Sequence, residues 1–154
     1  MVLVQSAQEA WKAGEPGTAI SRLREAIAAD SGFPEAHLQL GHGLRESGGD
    51  LQEAVAEFRR VLRLDPEQAE AHYEIGLALE KAGDDSEALD EFRIAVEMAP
   101  CRVEARSALG QSALRAANWA VAAAQFRSVL AWRPLDKEAR IGLERAVAEE
   151  NRAR

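Results

Sequence analysis

The chain has 154 residues, of which 47% are hydrophobic and 29% charged, and its net charge is −7. This balance favours one folded domain over disorder and disfavours general nucleic-acid binding, which usually goes with a basic excess. The single Cys101 cannot form an intramolecular disulfide, and the largely apolar residues 1–5 are too few for a membrane span or a secretory signal. We expect a cytoplasmic protein without nucleic acid as a partner and without membrane insertion, although loss of a leader or of neighbouring domains would leave the same pattern.

Residues 1–33 predict two helices joined by a turn. Ala7 lies 34 residues before Gly41, which is the length of the repeated pattern described below. Ala19 and Leu23 lie 35 residues before Ala54 and Phe58, one residue more than that length. The segment therefore reads as a weaker first copy of that pattern.

This pattern occurs three times between residues 34 and 136 with a period of about 34 residues. Each copy has an apolar residue followed by glycine in a first helix, then Ala-x3-Phe in a second helix, and then proline, which ends the second helix. The marker residues are Gly41, Gly76 and Gly110, then Phe58, Phe92 and Phe126, then Pro66, Pro100 and Pro134. One extra residue of the first copy lies in the turn Gly48-Gly49-Asp50.

After residue 136 the sequence predicts a single amphipathic helix at residues 137–152, whose apolar positions include Ala139, Leu143 and Val147. One helix with a polar outer face is typical of the end of a repeat array. The period therefore predicts an all-α solenoid of antiparallel helix pairs with nine helices. We expect a single domain over residues 1–154, with repeats at about 1–33, 34–68, 69–102 and 103–136 and a capping helix at 137–152.

The repeated glycines predict where the helices pack. Glycine inside a helix costs about 0.8–1 kcal/mol relative to alanine. Three glycines at the same position of the three copies therefore need a close helix contact that offsets this cost. We expect the phenylalanine of the second helix to fill that space in each copy. The small residues beside them, Ala36, Ala71, Ala105, Gly43, Ala78 and Ser112, are expected to let neighbouring repeats approach closely.

This arrangement resembles the tetratricopeptide repeat family over essentially the whole chain. The Gly, Ala, Phe and Pro positions match in three consecutive copies, while His37, His72 and Arg106 stand where the family often carries tryptophan. The resemblance implies a right-handed solenoid whose first helices line a concave groove. The branch of the family that clamps C-terminal carboxylates uses basic residues there, whereas this chain has Glu70 and Glu74, so we expect no such clamp.

We expect an extended peptide or a helix of a partner protein to bind in this groove. Its residues should combine aromatic, aliphatic and amide side chains on the first helices. The predicted groove residues are Gln8, Trp11, Lys12, Leu38, Gln39, His42, Arg45, Tyr73, Glu74, Leu77, Ser107, Gln111 and Arg115.

The sequence contains no pattern typical of catalysis. No nucleophile motif, phosphate-binding loop or pair of catalytic acids is present, and His37 and His42 are five residues apart without a cysteine pair. We therefore expect a protein-interaction adaptor or scaffold that is not an enzyme and has no metal or cofactor.

Two other functions fit the same pattern. The chain could be a structural module that self-associates through its terminal helices, driven by exposed apolar residues at Val2, Leu3 and Val4 or on the last helix. It could also be the substrate-recruiting part of a larger enzyme or of a secretion or assembly complex. A substrate-recruiting segment would bind its partner in the same groove that an adaptor would use.

Overall fold

The computed structural model describes residues 2–153 and contains, within that range, nine α-helices and no strand. The helices are α1 (Val2–Lys12), α2 (Pro16–Ala29), α3 (Pro34–Glu46), α4 (Leu51–Leu64), α5 (Ala69–Ala82), α6 (Asp85–Met98), α7 (Val103–Arg115), α8 (Trp119–Trp132) and α9 (Lys137–Arg152). Their number and order confirm the predicted all-α fold of helix pairs followed by a last single helix. No helix in this range is both long and apolar enough to cross a bilayer.

The helices begin and end where the sequence supplies local signals. Pro34 occupies the first turn of α3, and the side chains of Asp50 and Asp136 accept hydrogen bonds from backbone N–H groups at the starts of α4 and α9. Helices α4, α6 and α8 each end two residues before the proline of their copy. Proline therefore ends these helices as predicted.

The turns between paired helices use left-handed backbone conformations. Gly48 and Gly83 have φ values of +73° and +91°, and Ala117 takes the same region with φ +54°. An alanine in this conformation costs about 1–2 kcal/mol because its Cβ crowds the following carbonyl. The last turn therefore keeps the shape of the earlier ones without their glycine.

The chain divides into two compact units, which we describe separately. The first unit ends at Ala82 and contains α1–α5, and the second unit begins at Gly83 and contains α6–α9. The boundary between them lies between α5 and α6. That residues 1–154 form one domain with the four repeat boundaries given above stays a prediction.

Phenylalanine rings fill the centre of each unit. In the first unit, a Cβ added at Gly41 would lie 2.6 Å from Cε1 of the fully buried Phe58. In the second unit, a Cβ at Gly110 would lie 2.8 Å from Cε1 of Phe126. These contacts confirm the predicted glycine–phenylalanine pairs of α3 with α4 and of α7 with α8.

A third glycine contact in the second unit was not predicted. A Cβ at Gly142 of α9 would lie 2.5 Å from both Cε2 and Cζ of Phe126. The Phe126 ring therefore lies between Gly110 and Gly142.

The predicted small residues beside the glycines are also buried: Ala36, Ala71, Ala105, Gly43, Ala78 and Ser112.

Candidate functional site

The first unit contains a cavity of about 500 Å³ between α1 and α3. Its lining residues are Gln8, Trp11, Lys12, Gln39, His42, Gly43 and Glu46. Five of these, Gln8, Trp11, Lys12, Gln39 and His42, belong to the predicted groove. A volume of this size is within the range of about 300–1,000 Å³ that is typical of ligand sites.

Helical spacing explains why these side chains meet. The three lining residues of α1 are separated by three and one positions, and those of α3 lie within two turns of each other. Side chains three or four positions apart lie on one face of a helix. Gly43 and Glu46 were not among the predicted residues, although each lies four positions after Gln39 or His42, so the same spacing could have identified both.

Trp11 forms the aromatic wall of the cavity. A Cβ added at Gly43 would lie 2.5 Å from Cζ2 of Trp11 and 3.5 Å from Cγ1 of Ile20. Only glycine therefore leaves room for the indole to lie directly against the backbone of α3. Packing on this side holds the half-buried ring in place while it still lines the cavity.

Gln39 supplies an oriented polar group. Its Nε2 donates a hydrogen bond of 2.6 Å to Oε1 of Glu35, and a carboxylate can only accept, so the orientation of the amide is settled. Its Oε1 is buried and accepts no hydrogen bond within residues 2–153. A buried acceptor left in this state costs about 1–3 kcal/mol.

Behind the cavity, His42 belongs to a cluster of charged groups that joins α3 to α5. Glu74 is 6% exposed; its Oε2 accepts a 3.1 Å hydrogen bond from Nε of Arg45, and its Oε1 lies 3.4 Å from Nε2 of His42. The Glu74 carboxylate raises the pKa of His42 above its ordinary value, against the opposing effects of burial and of Arg45. Glu74 thus contacts Arg45 and His42 inside the first unit, and that it also lines a peptide groove stays a prediction.

The other predicted groove residues lie on three helices. Leu38, Tyr73 and Leu77 are half-buried on α3 and α5 of the first unit. In the second unit, Ser107 and Gln111 are half-buried on α7, and Nε of the exposed Arg115 donates to Oδ1 of Asp85 at 3.2 Å. That these residues belong to one groove with the cavity stays a prediction.

Comparison with known proteins identifies the type of repeat. The family model of the tetratricopeptide repeat matches residues 4–48 and 38–100. None of the curated proteins compared with the chain gives a significant match.

Several solved structures have the same fold. A crystal structure of MamA superposes with a TM-score of 0.90 at 19% identity, covering 97% of this chain and 81% of that one. TTC0263 from Thermus thermophilus gives 0.72 at 22% identity, covering 95% and 80%. YrrB, described as a TPR protein with an unusual peptide-binding site, gives 0.73 at 21% identity, covering 97% and 85%. At such identities the likeness shows the fold alone.

Proposed function

Because the chain belongs to the tetratricopeptide repeat family, whose members typically act as protein-interaction scaffolds, we propose that it is a non-enzymatic adaptor that binds a peptide segment or a helix of a partner protein between α1 and α3. The observation that carries this proposal is the cavity of about 500 Å³ in which Trp11 and Gln39 face a common space. The peptide-binding site described for the similarly folded YrrB is consistent with it.

The chemistry of the cavity defines what its occupant should look like. The indole of Trp11 offers a large apolar surface for one side chain of the partner, and tryptophan is enriched among the residues that dominate binding energy. The unsatisfied Oε1 of Gln39 offers an acceptor for a backbone N–H. Lys12 and Glu46 place one positive and one negative charge on the lining. We therefore expect an apolar anchor residue flanked by polar residues of mixed charge.

A peptide selection tests this proposal. Peptides selected from a displayed random library on the immobilised chain are then measured by titration calorimetry against wild type and Trp11→Ala. Loss of a central aromatic contact costs about 2 kcal/mol or more, so we expect Trp11→Ala to weaken binding about 30-fold or more. Trp132→Ala is the matched control, because Trp132 is 63% exposed on α8 and does not line the cavity.

Two outcomes would contradict the proposal. One is selection of no peptide, and the other is selection of peptides that bind wild type and Trp11→Ala equally well. Recruitment of a substrate to a larger enzyme or to a secretion or assembly complex would use the same cavity and is a form of the same proposal. A cytoplasmic location stays a prediction.

Self-association is the second candidate function, and exposed apolar side chains of the second unit favour it. Trp132, Leu135 and Ile141 are 63%, 85% and 65% exposed at the end of α8, in the following turn and on α9. At the other end of the chain Val4 is buried and Leu3 half-buried, so of the apolar residues considered there only Val2 is exposed. The C-terminal surface is therefore the better driver of a homo-oligomer.

Light scattering tests self-association. If this surface pairs, the molar mass of the wild type should rise above the monomer value of 16.8 kDa with increasing concentration, and Ile141→Lys should return it to the monomer. The mutation places an unpaired charge in an apolar contact, which is unfavourable. A wild-type mass that stays at the monomer value at the highest concentration would contradict a role in self-association.

A further inference from the structure

Three side chains that commonly bind metals meet beside the cavity in the first unit. His42 of α3 and Glu70 and Glu74 of α5 each offer one ligand atom, and these three atoms lie within 4.8 Å of one another. We propose that His42, Glu70 and Glu74 bind a divalent transition-metal ion, for which Zn²⁺ is the best match. This site goes beyond the proposed peptide binding and does not depend on it.

The distances fit a zinc ion with little rearrangement. Zinc binds nitrogen and oxygen at about 2.0–2.2 Å in a tetrahedral arrangement, which separates two ligand atoms by about 3.3–3.6 Å. Nε2 of His42 and Oε1 of Glu74 are already 3.4 Å apart. Glu70 is half-buried, and its carboxylate oxygen lies within 4.8 Å of each of the other two ligand atoms.

The surrounding groups orient two of the ligands. Arg45 holds Oε2 of the buried Glu74 by a hydrogen bond of 3.1 Å, and Oε1 of the same carboxylate lies on the side of His42, 3.4 Å from its Nε2. Ligating carboxylates in metal sites are themselves commonly hydrogen-bonded in this way. Nε2 of His42 is buried, lies 3.4 Å from Oε1 of Glu74 and makes no hydrogen bond of acceptable geometry within residues 2–153, so a metal ion between these two atoms would displace no well-formed hydrogen bond of the imidazole.

The donor set selects the type of ion. One imidazole and two carboxylates suit zinc and neighbouring transition metals, whereas Ca²⁺ takes six to eight oxygen ligands and Mg²⁺ keeps most of its waters. The two glutamates are four residues apart on α5 and therefore share one helical face, as metal ligands on a helix do. Arg45 offsets one of the two carboxylate charges, so the site suits a divalent ion better than an ion of higher charge.

Metal titration tests the site directly. Tag-free chain carrying Cys101→Ser, which removes the exposed thiol, is treated with a chelator and titrated with Zn²⁺ by calorimetry and with Co²⁺ by visible absorption. We expect one ion per chain and the intense d–d bands of tetrahedral cobalt. His42→Ala and Glu74→Gln should each weaken binding about 10-fold or more. His72→Ala is the matched control, because it removes another histidine outside the three ligands and should leave the affinity unchanged.

The proposal is overturned by a stoichiometry well below one, by an affinity that His42→Ala leaves unchanged, or by equal losses in His42→Ala and His72→Ala. Circular dichroism checks that each variant is folded. Should His42→Ala fail to fold, Glu70→Gln provides the second test, because it keeps the size of a half-buried side chain and removes only the ligating charge. Neither titration contains a peptide, so failure here and failure of the proposed adaptor function are separate results.

Discussion

Phe126→Ala should lower the free energy of unfolding by about 3–5 kcal/mol, the range found for truncating a buried phenylalanine. The ring is 1% exposed and lies in the core of the second unit. Because Gly110 and Gly142 bring two helix backbones against it, the removed ring would leave a cavity that rigid helices cannot close. Urea denaturation followed by far-ultraviolet circular dichroism measures the loss.

Trp132→Ala provides the control for this experiment. It also removes a large aromatic side chain from α8, but this side chain is 63% exposed, so its loss should change stability by about 0.5 kcal/mol or less. If Phe126→Ala cost less than about 1 kcal/mol, well below the range for a buried ring, Phe126 would not have the central packing role assigned to it.

Gly41→Ala is expected to destabilise the protein, although alanine is the better helix former. A Cβ at position 41 would lie 2.6–2.9 Å from three atoms of the Phe58 ring, which is fully buried and cannot move aside. Overpacking of this kind costs about 1–3 kcal/mol and outweighs the gain of about 0.8–1 kcal/mol in helix propensity. We expect a net loss of up to about 2 kcal/mol in urea denaturation.

Gly17→Ala makes the same change where there is space. Gly17 lies in the first turn of α2, and a Cβ there would meet no atom within 4 Å. This variant should be as stable as the wild type or more stable by up to about 1 kcal/mol. Opposite signs for the two substitutions would support the packing argument, whereas a stabilising Gly41→Ala would refute it.

Much of the fold could be predicted because its signals are local and repeated. The proline of each copy ends a helix by a steric effect on its immediate neighbours, so α4, α6 and α8 end where the sequence indicates. The pairs Gly41–Phe58 and Gly110–Phe126 connect neighbouring helices of one copy, and the period shows both members. The contact of Gly142 was missed because this glycine does not fall on the period: the position one full period after Gly110 is Glu144.

The candidate site could be predicted only in part. Trp11, Gln39 and His42 could be predicted from the resemblance to the family, whose first helices line the groove, together with helical spacing on α1 and α3. The proposed metal site could not be predicted in this way. His42 is five residues from the nearest histidine, which is not a spacing typical of metal ligands. Its carboxylate neighbours Glu70 and Glu74 belong to the next copy of the repeat and are separated from it in sequence by the whole of α4. Such partners become visible only once α3 and α5 are placed side by side in the folded unit.

The contact between Gly142 and Phe126 has a consequence for lengthening or shortening such an array. Helix α9 contacts the outer edge of this ring, so it completes the packing of the preceding copy. A protein engineer who grafts another copy after residue 136 would therefore have to fit the first helix of that copy against this ring, at the place where Gly142 lies here. With the present backbone, a Cβ at that place would lie 2.5 Å from the Phe126 ring, so either the ring or the new helix would have to shift.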